Sequence, residues 1–114
     1  MNNRNEQVAM ECQRIAAGVR SCLGGWYFTN AGALRDILEV SPGRARALYM
    51  GRADYNLREL ALVSAFFGVK PVEWIAPPSG RDYPRAESCH SANRAEVHAR
   101  AWDRVMTARE TTAA

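Results

Sequence analysis

One lysine, two histidines and three cysteines occur among the 114 residues, and no apolar run is long enough to cross a membrane. The opening MNNRNEQ has no apolar stretch after its first basic residue, so no secretory leader is expected. An odd number of cysteines (Cys12, Cys22, Cys89) cannot pair completely, and their spacing fits no zinc pattern. They read as free thiols in a reducing cytoplasm. Cys89, His90 and His98 lack a further histidine or carboxylate cluster at ligand spacing, which leaves neither a metal site nor a nucleophile–base pair. Nowhere do apolar and polar residues alternate with period two over a useful length. No strand is therefore expected, nor a strand-fed glycine-rich phosphate loop. These absences give no catalytic residue, cofactor or metal to expect. A chain this short also leaves no room for a sensor domain, so no small-molecule ligand is expected.

What is present is an ordinary globular composition, 47% hydrophobic and 24% charged, with a net charge of +3 that is unevenly placed. Residues 41–58 hold four arginines (Arg44, Arg46, Arg52, Arg58) against the single acid Asp54, while the rest of the chain balances 11 bases with 11 acids. A local excess on one short segment is an electrostatic footprint for phosphate. A solvated charged helix face is the ordinary alternative.

Apolar spacing and capping signals divide the chain into helices. Val8, Cys12, Ile15, Ala16, Val19 and Leu23 form one stripe, which predicts a helix over residues 6–23 ended by Gly24 and Gly25 in the left-handed conformation. Trp26, Tyr27 and Phe28 follow as a core plug. Thr29 or Asn30 can cap a second helix reaching Leu38. Ser41 and Pro42 start a third, a capping hydroxyl followed by proline at the first helical position, and Gly51 stops it. Asn56 and Glu59 form a capping box for a fourth, which ends at Gly68. Pro71 opens a short fifth helix with Val72, Trp74 and Ile75. Three prolines and a glycine make residues 77–85 and their flanks a linker, and residues 86–110 form a last helix with Val97, Ala101 and Val105 on one side. The expected organisation is all-α: a five-helix domain over residues 1–76, a linker at 77–85, a helical segment at 86–110 and a disordered tail at 111–114.

Within residues 31–50, Leu34, Leu38, Val40, Ala45 and Leu48 fall where a helix-turn-helix buries its side chains. Residues 31–75, notably LEVSPGRARALYMGR and NLRELALVSAFFGVKPVEWI, resemble the phage lambda repressor and Cro-like helix-turn-helix family. Two positions depart from that family: Arg35 stands where alanine is usual, and Glu39 where the turn usually has glycine.

The resemblance implies a repressor-like domain that binds double-stranded DNA with its third helix, residues 41–50, in the major groove. Pro42, Gly43, Arg46, Ala47 and Met50 would share the base-reading face, with Arg44 beside it and counted among the base readers, able to reach a base or a phosphate. Arg46 is the best candidate base reader, because its planar fork matches guanine O6 and N7. Phosphate contacts are expected from Thr29 and Asn30 at the start of the second helix, and from Arg52, Tyr55, Asn56 and Arg58 in and after the following loop. The implied protein is a cytoplasmic, nucleoid-associated transcription regulator of a bacterial host cell, most like a temperate-phage immunity repressor or Cro-type switch protein.

The last segment leaves alternatives open. Arg94, Arg100, Arg104 and Arg109 alternate with acids, which reads first as a solvated face. Trp102, Val105 and Met106 nonetheless form an apolar group. It can dock on the domain, join a second copy as a homodimer, or lie on DNA beside the first domain. An antitoxin-like DNA-binding protein, whose last segment holds a protein partner, is the alternative reading of the chain.

Overall fold

The apolar stripes read from the sequence are realised as helices throughout. The structure is a computed structural model that describes residues 3–77 and 83–112. It contains α1 (Asn3–Gly25), α2 (Gly32–Leu38), α3 (Pro42–Tyr49), α4 (Leu57–Phe67), α5 (Val72–Ile75) and α6 (Arg94–Thr112), with no strand among the described residues. No helix among these residues is long and apolar enough to cross a membrane.

The helix boundaries follow local chemistry. Ser41 Oγ accepts the Arg44 amide at 3.1 Å, and Pro42 occupies the first helical position of α3. Asn56 Oδ1 accepts the Glu59 amide at 2.7 Å while the Glu59 carboxylate accepts the Asn56 amide at 2.9 Å, the reciprocal bonds of a capping box. Gly51 (φ 74°) and Gly68 (φ 67°) take the left-handed conformation at the ends of α3 and α4. Asn30 accepts the Gly32 amide at 2.8 Å ahead of α2.

The end of α1 differs from the expectation. Gly24 and Gly25 stay helical, and Tyr27 takes the left-handed turn instead (φ 69°). Phe28 N–H donates to Leu23 O at 2.9 Å and Tyr27 N–H to Gly24 O at 3.1 Å, the paired bonds that close a helix C-terminus. The tertiary fold makes this choice. Carrying the helix past the glycines places the Trp26 ring in the core and lets its Nε1 donate to Glu87 O at 2.9 Å. The Arg94 guanidinium lies 5.1 Å from the centre of the exposed Tyr27 ring.

One core runs through all of this. Leu34, Ile37 and Leu38 of α2 meet Ala45 and Leu48 of α3, and Leu62, Val63, Phe66 and Phe67 of α4 fill the centre. Ser64, buried in α4, donates to Leu60 O and accepts Trp74 Nε1 at 2.8 Å, which fastens α5 to α4. At about 1.5–3 kcal/mol for each fully buried large apolar side chain, this cluster dominates the stability of the domain.

The helix after the linker is built into that core. It begins at Arg94, eight residues later than expected, and Val97, Ala101 and Val105 are completely buried against α4. Residues 83–90 have no regular structure, and Pro84 and Glu87 lie against α1 and Trp26. The proposed linker falls largely on residues 78–82, outside the described residues. The expected tail begins at Thr111, yet Thr111 and Thr112 continue α6. The segment docks onto the domain rather than standing as a separate appendage: Val105 is buried and Trp102 half-buried, while Met106 stays exposed. The Cα radius of gyration, 14.0 Å, is close to the roughly 13 Å of a compact chain this long.

Candidate nucleic-acid interface

Helix α3 has two unlike faces. Ala45 and Leu48 point inward at 1% and 0% exposure, so the inner face is fixed by packing. Pro42, Gly43, Arg46 and Met50 are exposed and Ala47 is half-buried, so the opposite face is open to solvent. A Cβ added at Gly43 would meet nothing within 4 Å, so the start of this face is unobstructed. Arg46 makes no hydrogen bond or ion pair among the described residues, and its fork is free.

Arg44 corrects the sequence reading. Its guanidinium turns onto Glu59 and the loop before α4, with Nε donating to Glu59 Oε2 at 3.0 Å and Nη2 to Glu59 Oε1 at 2.7 Å and to Asp54 O at 2.6 Å. Glu59 is buried, at 2% exposure. Burial alone pushes its carboxyl up. The Arg44 hydrogen bonds, the Asn56 amide and the charges of Arg44 and Arg58 outweigh that and hold it below the ordinary carboxylate range. Donating these hydrogen bonds to Glu59 strengthens the hold of Arg44 on its proton. Arg44 therefore locks α3 to the start of α4 and has no fork left for a base.

The loop after α3 is similarly sorted. Arg52 is exposed and unpaired among the described residues, as a phosphate contact requires. Arg58 is partly committed: Nη1 donates to Leu38 O at 3.1 Å and Nη2 lies 3.4 Å from Glu39 Oε1. Asn56 uses its side-chain oxygen as the α4 cap. Tyr55 turns its hydroxyl inside, where it has no hydrogen-bond partner among the described residues, and burial raises its pKa. A buried hydroxyl cannot reach a phosphate, so Tyr55 leaves the expected phosphate set. Thr29 is exposed at the start of the α2 turn, and Asn30 is exposed with its Oδ1 on Gly32 N–H.

The two family departures have distinct fates. Arg35 points to solvent, with its Nε 3.4 Å from Asp36 Oδ1, so it does not crowd the helix contact. Glu39 takes the left-handed conformation (φ 54°, ψ 49°) in the turn between α2 and α3, a conformation that suits glycine.

Sequence reasoning missed the residues that hold this unit from behind. Gln13 Nε2 donates to Gly51 O at 3.1 Å and Arg20 Nη1 to Tyr49 O at 2.6 Å, so α1 caps the end of α3. Cys12 Sγ donates to the Asp54 carboxylate, and burial followed by that carboxylate pushes its thiol up to about 11. Burial alone pushes the Cys22 thiol up to about 11. No local signal marks these contacts, since each joins residues about 30 or more positions apart. The three cysteines are free. His98 lies with its ring 4.9 Å from Phe28 and 5.8 Å from Trp26, its Nε2 3.1 Å from Trp26 O. Among the described residues no group of three metal-ligating side chains converges.

Comparison with protein families, with curated proteins and with solved structures found no match to this chain.

Proposed function

We propose that this chain is a sequence-specific regulator of transcription that binds double-stranded DNA. In this reading α1–α5 form a repressor-like helix-turn-helix domain, of the kind found in phage immunity repressors and Cro-type switch proteins, with α6 attached. The observation that carries it is the outward face of α3. Arg46, its one arginine unpaired among the described residues, stands among small or apolar neighbours (Pro42, Gly43, Ala47, Met50), while Ala45 and Leu48 are buried and Arg44 is tied to Glu59.

With α3 in the major groove, Arg46 donates both arms of its fork to guanine O6 and N7. Ala47 and Met50 meet thymine methyls, and Gly43 lets the helix backbone approach. Arg52 and the exposed part of Arg58 meet phosphates on one side, and Thr29 and Asn30 at the start of α2 on the other. The antitoxin-like alternative needs a last segment with a free apolar face. Here Val97, Ala101 and Val105 are buried in the domain's own core, which favours the regulator.

Selection of duplexes from a randomised pool, followed by affinity measurements over a salt series, tests the reading. A recovered consensus and a log–log salt slope of about 0.9 per neutralised phosphate are expected. No consensus and a flat salt dependence would sink it.

A further inference from the structure

Helix α6 reaches the helix-turn-helix turn through one residue. Arg109 Nη2 donates to Asp36 O at 2.6 Å and to Ile37 O at 3.2 Å, two carbonyls at the end of α2 that have no partner within their own helix. A cation at a helix C-terminus also opposes the negative end of the helix dipole. The Arg109 Nε lies 3.0 Å from Glu39 Oε1, an ion-pair distance without the alignment of a hydrogen bond. The Trp102 ring lies below, its centre 5.9 Å from the guanidinium carbon.

Glu39 is the residue held in the left-handed conformation, and it takes Arg58 of α4 on the same carboxylate oxygen. Five residues earlier on α6, Arg104 caps α4, with Nε donating to Ala65 O at 2.7 Å and Nη2 to Phe66 O at 2.8 Å. Two arginines of α6 thus close the C-termini of α2 and α4, the helices on either side of α3.

We propose that Arg109 is a positioning residue: through Glu39 and the last carbonyls of α2 it holds the turn that sets the orientation of α3. The turn requires a conformation that glycine adopts freely and glutamate does not. Arg109 and Arg58 supply the attraction that keeps glutamate there. The consequence for target recognition rests on the DNA-binding reading; the clamp itself does not.

Full-length Arg109→Ala, Arg109→Lys, Glu39→Gly and the Arg109→Ala/Glu39→Gly double variant test this, first without DNA. Amide exchange in Arg109→Ala should rise about tenfold at Val40 and Arg44 and stay unchanged at Leu62 and Val63 in α4. The double variant should return close to the original rates, because glycine needs no clamp to hold the turn. Arg109→Lys, which lacks the fork, should rescue only partly. An equal rise in α4 would make Arg109 a general stabiliser, and no rise in the turn would remove the clamp; either overturns the proposal. The second readout is binding to a duplex selected by the unaltered protein and to a random-sequence duplex. Arg109→Ala should lose about five- to tenfold on the selected duplex and little on the random one, with an unchanged salt slope. A slope reduced by about one unit would make Arg109 itself a phosphate contact and overturn the positioning role. If the unaltered protein selects no duplex, the DNA reading fails, and the exchange rates still decide the clamp.

Discussion

The guanidinium of Arg44 closes as a two-pronged fork on the carboxylate of Glu59, with prongs of 3.0 and 2.7 Å, and so ties α3 to a buried residue in the first turn of α4. The same carboxylate completes the α4 capping box. One acidic side chain therefore joins a helix cap, an ion pair and the placement of the candidate reading helix.

Glu59→Gln should destabilise the fold by about 1.5–3 kcal/mol, the ordinary worth of hydrogen bonds to a charged group. Water reaches the Arg44 end, whose side chain is 36% exposed, so a loss near the lower value is expected. Because the folded carboxyl is held below its ordinary range, its stabilisation is complete above about pH 4.3 and is lost as the pH falls through the lowered value. Thermal melts from neutral to acidic pH should show this fall in the unaltered protein and a shallower one in Glu59→Gln.

Arg46→Ala and Arg52→Ala should separate reading from holding. The first should cost about 1–3 kcal/mol on a selected duplex and relax one base pair of the consensus. The second should weaken selected and random duplexes alike and lower the salt slope by about one phosphate. Identical losses for both variants on both duplexes would place α3 outside the groove.

Tyr55→Phe removes a buried hydroxyl that has no partner among the described residues. The variant should be as stable as the original or more so, by about 1 kcal/mol, and its affinity for a selected duplex should be unchanged. A drop in affinity at constant melting temperature would return the hydroxyl to the phosphate set.

A chain ending at Asn93 should not fold cooperatively. It loses three fully buried side chains of α6 and uncovers the α4 side on which they pack, Phe66 included. Each large buried side chain is worth about 1.5–3 kcal/mol, against a total stability of about 5–15 kcal/mol for a domain. Circular dichroism melts and near-ultraviolet spectra would show the loss. A truncated chain with a sharp transition would restore residues 86–110 to the status of an appendage.

The sequence by itself determined the helices and most of their ends where the signal was local, the Gly24–Gly25 stop of α1 excepted. Ser41–Pro42, the Asn56–Glu59 box, Gly51 and Gly68 act on backbone groups within a turn of themselves, and each stands where expected. The 3.6-residue period likewise fixed which residues of α3 face inward, because Ala45 and Leu48 have one apolar neighbourhood to enter. Tertiary structure alone decided where the arginines go. A count over residues 41–58 takes Arg44 as a free cation because Glu59 lies one residue beyond the window, and folding brings the two together. Along the chain Arg104 and Arg109 look like solvated charges and Arg58 like a phosphate contact, yet each ends on a backbone carbonyl at least 20 residues away. Long, flexible side chains choose partners by proximity in space. The candidate footprint thus narrows to Arg46 and Arg52, with the exposed part of Arg58, and the last helix is docked on the domain rather than standing free as an arm.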